Sequence, residues 1–278
     1  MSEGRVLPKS VDYTKILPLA VESRSRRRSF FPVNGQSFVD NANNIIRIDV
    51  SASAFLDTRH SYLRFRLTNN SGQAFGPDFG GGHGIIRRLR IEQAGTVLSD
   101  VNHYNKLLSS IILPSQSGLD GLAHRSLTEG QRYANNGTNN NSAQPLPAAD
   151  VSGAVASTAS NTNALVANGG TYTFSIPLMN GLLGTTQSKM VPLQLLSSSP
   201  LTIEIELAPL LDIGVYAAAA PVAGTSYTID NVRYIAQLVE VGPEVDAQLR
   251  MVQEMSGGKL VLNGTDYTHF NGNIPAGA

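Results

Sequence analysis

Residues 44–52 read NIIRIDVSA, and this stretch decides the fold class. Its apolar residues Ile46, Ile48 and Val50 occupy every second position and alternate with charged residues. A period of two places successive side chains on opposite faces of an extended strand, so that one face is apolar and the other polar. The stretch therefore predicts a β-strand with a single packed face, which is typical of an antiparallel sheet.

The same period recurs along the chain. Further segments with strand character are 62–67, 85–92, 171–177, 201–207 and 227–241. The pair Arg87–Arg88 interrupts the alternation in one of them, which indicates a β-bulge. With about eight such segments joined by turns, we predict an all-β fold, an antiparallel jelly-roll sandwich with short helical excursions. The predicted core includes Ile48, Leu63, Phe65, Leu89, Ile91, Ile203 and Ile205.

Two segments have the spacing of a helix instead. From Asp100, which can act as an N-cap, apolar residues recur at helical intervals until Pro114, which we expect to end the helix. Pro243 is predicted to open a second helix with Val245, Leu249 and Val252 on one face, and glycines 257 and 258 are predicted to close it.

Composition divides the chain into three regions. Residues 1–29 have no periodic apolar face and are predicted to form an N-terminal arm. Residues 30–242 form the predicted jelly-roll domain, within which residues 134–170 are dominated by Asn, Ala, Ser, Thr and Gly and predict a long surface loop. Residues 243–278 are interpreted as a linker helix followed by an extended segment.

The charge balance disfavours one class of function, and the absence of cysteine excludes several kinds of chemistry. Lys+Arg and Asp+Glu both number 21, which gives a formal net charge of zero. Proteins dedicated to nucleic-acid binding carry a basic excess, whereas a net charge near zero favours self-association. With no cysteine in the chain, disulfides, thiolate chemistry and cysteine-ligated zinc are excluded.

No motif in the sequence predicts catalysis, a metal or a cofactor. The histidines have neither the spacing of a metalloenzyme helix nor an accompanying glutamate, and they are His60, His83, His103, His124 and His269. Gly-rich residues 80–84 surround His83, which we interpret as a flexible loop residue because no G-x-S-x-G motif accompanies it. We therefore expect neither an enzyme nor a small-molecule substrate.

The candidate functional residues are a cluster of arginines interleaved with serines, namely Arg24, Arg26, Arg27 and Arg28. Two interpretations are open for them. The cluster is a solvated tail, or it is part of an arm that contacts neighbouring subunits, the genome or an inner membrane.

Four segments, in their order and spacing, resemble the double jelly-roll major capsid proteins of polinton-like viruses, adintoviruses and virophages. The strongest is IIRRLRIEQAGTVLSDVNHYNKLL at 85–108, where an apolar strand with an arginine pair runs into a Gly turn and then a helix. The others are 175–207, 227–243 and 267–278.

This resemblance implies a viral major capsid protein that self-assembles into trimeric capsomers of an icosahedral shell enclosing the genome. The implied partners are copies of itself, as a homotrimer, and other capsid proteins such as a penton, with weak contact of the arm to genome or inner membrane. The implied location is the virion, after synthesis in the host cytoplasm.

Alternatives remain open at the level of the sequence. Residues 243–278 are either the start of a second jelly roll or a C-terminal arm. The alternative functions are a minor capsid or penton single jelly-roll protein, and a receptor- or glycan-binding β-sandwich.

Overall fold

The computed structural model describes residues 23–73, 75–77, 80–116, 128–130, 151–155, 165–184, 189–196, 199–216, 225–255, 257 and 264–269. These residues form short helical turns, one longer helix and the following strands. The strands are β1 (Ser23–Phe30), β2 (Ser37–Val39), β3 (Ile45–Val50), β4 (Phe55–Asn70), β5 (Phe75–Pro77), β6 (Ile86–Gln93), β7 (Thr96–Asn102), β8 (Val151–Val155), β9 (Leu165–Ile176), β10 (Val191–Pro192), β11 (Leu201–Leu207), β12 (Gly214–Tyr216) and β13 (Ser226–Val241).

The strands form two antiparallel sheets. The large sheet has the order β1-β13-β4-β9-β5-β12, with β2, β8 and β10 attached, and the small sheet has the order β3-β11-β6-β7. The eight long strands pair from the outside of the chain inward, so that the first pairs with the last and the second with the second-last. The pairs are β1 with β13, β3 with β11, β4 with β9 and β6 with β7. Nested pairing of this kind across two sheets is a jelly roll, and the predicted fold class is confirmed.

The core lies between the inner faces of the two sheets. In the small sheet Ile203 of β11 stands opposite Ile48 of β3 on one side and Ile91 of β6 on the other. The neighbouring row is formed in the same way by Ile46, Ile205 and Leu89. The side chains that the two-residue period places inside are all buried, and they are Ile48, Leu63, Phe65, Leu89, Ile91, Ile203 and Ile205.

The irregularity predicted in β6 is present, and β13 is irregular as well. In β6 the register places Glu206 opposite Arg88 but Leu207 opposite Ile86, so Arg87 is the extra residue of a bulge. In β13 the register shifts twice, and Asn231 beside the first shift has a φ of 50°, in the left-handed region. Bulges let these strands keep their apolar side chains inside while they bend.

The predicted start of the first helix is wrong. Asp100 lies in β7, where its carboxylate is 2.5 Å from the Arg88 guanidinium, and this bond holds the pKa of Asp100 below its ordinary value. The cross-strand ion pair extends the strand, and α1 (Tyr104–Leu107) begins only after His103.

The predicted end of that helix is also wrong. Pro114 lies within α2 (Leu113–Gln116), which follows a π-helical turn at Leu108–Ile112. The π turn resets the backbone hydrogen bonds, so the proline falls in the first turn of a new helix, where its missing N–H is tolerated.

Two predicted boundaries differ from the structure. Residues 23–29 of the predicted arm belong to β1, which pairs with β13 along its whole length. Residues 151–155 and 165–170 of the predicted loop belong to β8 and β9, where Val166 is fully buried. Residues 23–29, 151–155 and 165–170 have no apolar period of their own, and pairing with adjacent strands of the sheet stabilises them as strands. Residues 1–22 and the remainder of the loop lie outside the described residues.

The helix predicted at Pro243 is confirmed as α3 (Pro243–Met255). Gly257 follows it with a φ of 69°, and its N–H donates to the Glu254 carbonyl at 3.1 Å. The left-handed glycine ends the helix as the sequence predicts.

We expect Ile203→Ala to lower the free energy of unfolding by about 2–5 kcal/mol, because it opens a cavity between three strands. The matched control is Ile45→Ala on the outer face of β3, where the side chain is 39% exposed, and its loss should stay below about 1 kcal/mol. Urea unfolding followed by circular dichroism measures both, and equal losses would contradict the assigned core.

Candidate assembly surfaces

The four arginines singled out by the sequence lie on β1, at one edge of the large sheet. Residues 23–28 are exposed, and the described sheet places β13 on only one side of the strand. Alternation puts Arg24, Arg26 and Arg28 on one face and Arg27 on the other. The structure therefore places these residues together, on an ordered strand.

Contacts with β13 hold two of these side chains. Arg26 Nη2 is 2.5 Å from Glu240 Oε1, and Arg27 Nε donates a hydrogen bond to Gln237 Oε1 at 3.1 Å. Both contacts are solvent-exposed, so each contributes little to stability. Their effect is to orient the guanidinium groups along the sheet edge.

The other two arginines form no ion pair with any described residue. The Arg28 guanidinium carbon lies 5.0 Å from the centroid of the Phe30 ring, a cation–π contact. No ion pair or hydrogen bond joins the Arg24 side chain to any described residue. The edge thus presents positive charge to a neighbour.

The outer face of the small sheet is neutralised by its own ion pairs. Each arginine described there has a carboxylate within ion-pair distance. The pairs are Arg47–Glu204 at 2.8 Å, Arg87–Glu206 at 3.4 Å, Arg88–Asp100 at 2.5 Å and Arg90–Glu92. This face therefore offers little net charge to a partner.

The outer face of the large sheet is different. Arg64 of β4 stands directly opposite Arg233 of β13, and the Nε atom of each is inaccessible without a hydrogen-bond partner among the described residues. Next to them Arg66 makes two hydrogen bonds of 2.7 Å to Asp230. Two guanidinium groups thus share this face without a counterion. Sequence analysis missed them, because their opposition depends on a register between residues far apart in the chain.

Helix α3 leaves its apolar residues uncovered by the described part of the chain. Met251 is 64% exposed, Val252 49% and Met255 81%. Val245 and Leu249 are half-buried. An amphipathic helix with an open apolar face is a surface for contact with another domain or another chain.

The segment at 264–269 lies against the jelly roll. Ser99 Oγ donates to Asp266 Oδ1 at 2.9 Å, and Tyr267 packs against the edge of the core. A side chain at Gly264 would overlap the carbonyl oxygen of Gly181, so glycine is required where the two backbones cross. The segment borders a groove of 440 Å³ beside α1.

The interpretation of His83 as a flexible loop residue is wrong. His83 is fully buried in a 3-10 turn, Gly81–Ile85. The neighbouring Gly82 lies so close to the core that a Cβ there would be 2.8 Å from Ile176 Cγ2. The glycines permit close packing of the backbone here, and they do not make a mobile loop.

His83 belongs to a buried polar network. Its Nε2 lies 3.3 Å from Glu129 Oε2, and its Nδ1 lies 3.3 Å from the Tyr104 hydroxyl. That hydroxyl accepts a hydrogen bond from the Met179 N–H at 3.1 Å, and burial raises the pKa of Tyr104 above its ordinary value. Enclosed in this way, the network joins the 3-10 turn, α1 and the loop after β9.

Within the described part of the chain, no three His, Cys, Asp or Glu side chains are grouped so that they would hold a metal ion. Nor is any helix there long and apolar enough to span a membrane.

No protein-family model and no curated protein matches the chain. Solved structures do match. The PBCV-1 virus capsid superposes with a TM-score of 0.54 and 13% sequence identity, covering 83% of this chain and 45% of that chain. The Sputnik virophage structure gives a TM-score of 0.49 at 12% identity, covering 87% of this chain and 53% of the other. The Faustovirus major capsid protein gives 0.45 at 12% identity, covering 86% and 59%.

The chain has the fold of a capsid jelly roll. Its nested strand order and its superposition on the PBCV-1 capsid chain agree on this point. The chain spans less than half of that PBCV-1 chain, 45% of its length. The jelly roll described here thus aligns with one part of that longer chain.

We expect Tyr104→Phe to destabilise this capsid jelly roll by about 1–3 kcal/mol, because the Met179 N–H and His83 lose a buried partner. Tyr62→Phe, on the outer face of β4, is the control and should change stability by less than about 0.5 kcal/mol. Thermal unfolding measures the difference. Equal stability of the two variants would show that the network contributes nothing.

Proposed function

We propose that the chain is a viral major capsid protein, or the first jelly roll of one. It assembles with copies of itself into trimeric capsomers, and these form an icosahedral shell around the genome. The observation that supports this most directly is the superposition of this nested jelly roll on the PBCV-1 capsid structure, with a TM-score of 0.54 over 83% of this chain. Its role is structural and requires no catalysis, cofactor or small-molecule substrate.

The surfaces of the subunit support association. The outer edge of β1, the exposed apolar residues of α3 and the arginine pair of the large sheet are not covered by the described residues. Closed symmetric assembly covers edges and apolar patches that a lone subunit leaves exposed. A net charge of zero opposes such association very little.

We also propose that α3 leads into a second jelly roll. Val245, Leu249 and Val252 would pack at the junction, which accounts for an apolar helix face that the first jelly roll leaves open. The segment at 264–269, held by Ser99 and the Gly181 crossing, would direct the chain toward that second unit.

The arginines of β1 are proposed to contact a neighbouring subunit, the genome or an inner membrane weakly. Arg24 and Arg28 have the greatest capacity for this, since neither is paired with a carboxylate among the described residues. Further partners are other capsid proteins such as a penton, in a virion whose proteins are made in the host cytoplasm.

Light scattering over a range of concentrations tests the assembly, with the full-length protein including any residues encoded beyond Ala278. We expect the mass of three copies, and threefold particles by negative-stain electron microscopy. Fivefold rings would favour a minor capsid or penton protein instead. A strict monomer at every concentration would contradict the proposal and favour a receptor- or glycan-binding sandwich, which a glycan array would then detect.

A further inference from the structure

We propose that the outer face of the large sheet binds helix α3 of a second copy, and that a carboxylate of this helix lies between Arg64 and Arg233. The inference rests on the proposed function, because it names the surface through which copies associate.

The arginine pair requires an anion. Residues directly opposite each other in an antiparallel sheet lie roughly 4.5–5.5 Å apart, where like charges destabilise the pair. Arg64 and Arg233 occupy such positions, and both side chains are half-buried with Nε atoms that neither water nor any described residue reaches. The Nε atoms are closed to a partner, but the terminal Nη groups of both arginines are not among the inaccessible unpaired atoms, and one carboxylate accepts hydrogen bonds from Nη groups of both.

The surroundings of the pair suit a protein partner. Tyr62 stands opposite Ile235 in the adjacent row, and Phe55 stands opposite Val239 further along the same face. All four side chains are half-buried. The row between these two is polar, with Gln237 opposite Asp57. Nucleic acid binds to extended sets of cations, whereas here two guanidinium groups lie beside alternating apolar and polar rows. A helix with both acidic and apolar side chains matches such a face.

Helix α3 has these properties. Glu244 and Glu254 form no ion pair with any described residue, unlike the glutamates of the small sheet. Ten residues of helix separate them by about 15 Å. The exposed Met251 and Met255 lie on the same helix, so charge and apolar area are both complementary to the large sheet.

The helix must come from another copy. Eight residues of β13 separate Arg233 from Val241 at the helix end of the strand, about 26 Å of extended chain. The Gln194 amide also donates to Asp246 at 3.1 Å and holds the first turn of α3 beside β10. A contact between two different surfaces of identical subunits is heterologous, and with a threefold rotation between copies it closes into the trimer of the proposed function.

Charge reversal and rescue test this interface. The variants are Arg64→Glu/Arg233→Glu, Glu244→Arg/Glu254→Arg and all four changes together. We expect each double variant to raise the dissociation constant of self-association at least tenfold, and the fourfold variant to return it to within threefold of the original. Sedimentation velocity measures all of them.

The control exchanges a pair on the neutral face, Arg47→Glu/Glu204→Arg, and should leave association unchanged. Circular dichroism checks that each variant folds, and Arg64→Gln/Arg233→Gln replaces any arginine variant that does not.

The inference is wrong if the original protein associates and the arginine variants associate equally well. It is also wrong if the fourfold variant associates no better than the double variants. Loss of binding to a single-stranded oligonucleotide with unchanged association would also overturn it. A protein that never associates would overturn the proposed function itself.

Discussion

The jelly roll depends on one packing contact that joins three strands distant in sequence. Ile203 of β11 packs between Ile48 of β3 and Ile91 of β6 in the middle of the small sheet. β11 is the last of these strands in the chain, yet it lies between the first two. In the same way β13, the last strand, lies between β1 and β4 in the large sheet.

The alternation that builds this core also determines the outer surface. Side chains that alternate with the buried isoleucines form ion pairs on the small sheet, and that face is neutral. On the large sheet the alternate positions bring Arg64 and Arg233 together, with no carboxylate of the described chain between them. One sheet is thus electrostatically self-contained, whereas the other carries two arginines without a counterion among the described residues.

Patterns of a few neighbouring residues predicted the elements that short-range interactions determine. The strands around Ile48 and Ile203, the bulge at Arg87 and the helix from Pro243 each follow from a few neighbouring residues, and the structure contains them. The sequence predicts an arm at β1, because its arginines have no apolar period, and only pairing with β13 makes it a strand.

Features that depend on contacts between residues far apart in the chain could not be predicted from local patterns. The Asp100 side chain could cap a helix N-terminus, but it forms an ion pair with Arg88 on the neighbouring strand, and the residue remains in β7. The glycines around His83 suggested mobility, whereas Phe174 and Ile176 on β9 pack closely against Gly82. The opposition of Arg64 and Arg233 is set by the register of β4 and β13, which contains two shifts that no local pattern specifies.

The central claim is that this jelly roll is a unit of a closed shell, and a cryo-electron microscopy reconstruction of the assembled protein tests it most directly. The account predicts a ring of identical subunits, each with the small-sheet order β3-β11-β6-β7 and the nested pairing of β1 with β13. Particles that contain a single copy, or subunits with a different strand order, would contradict it.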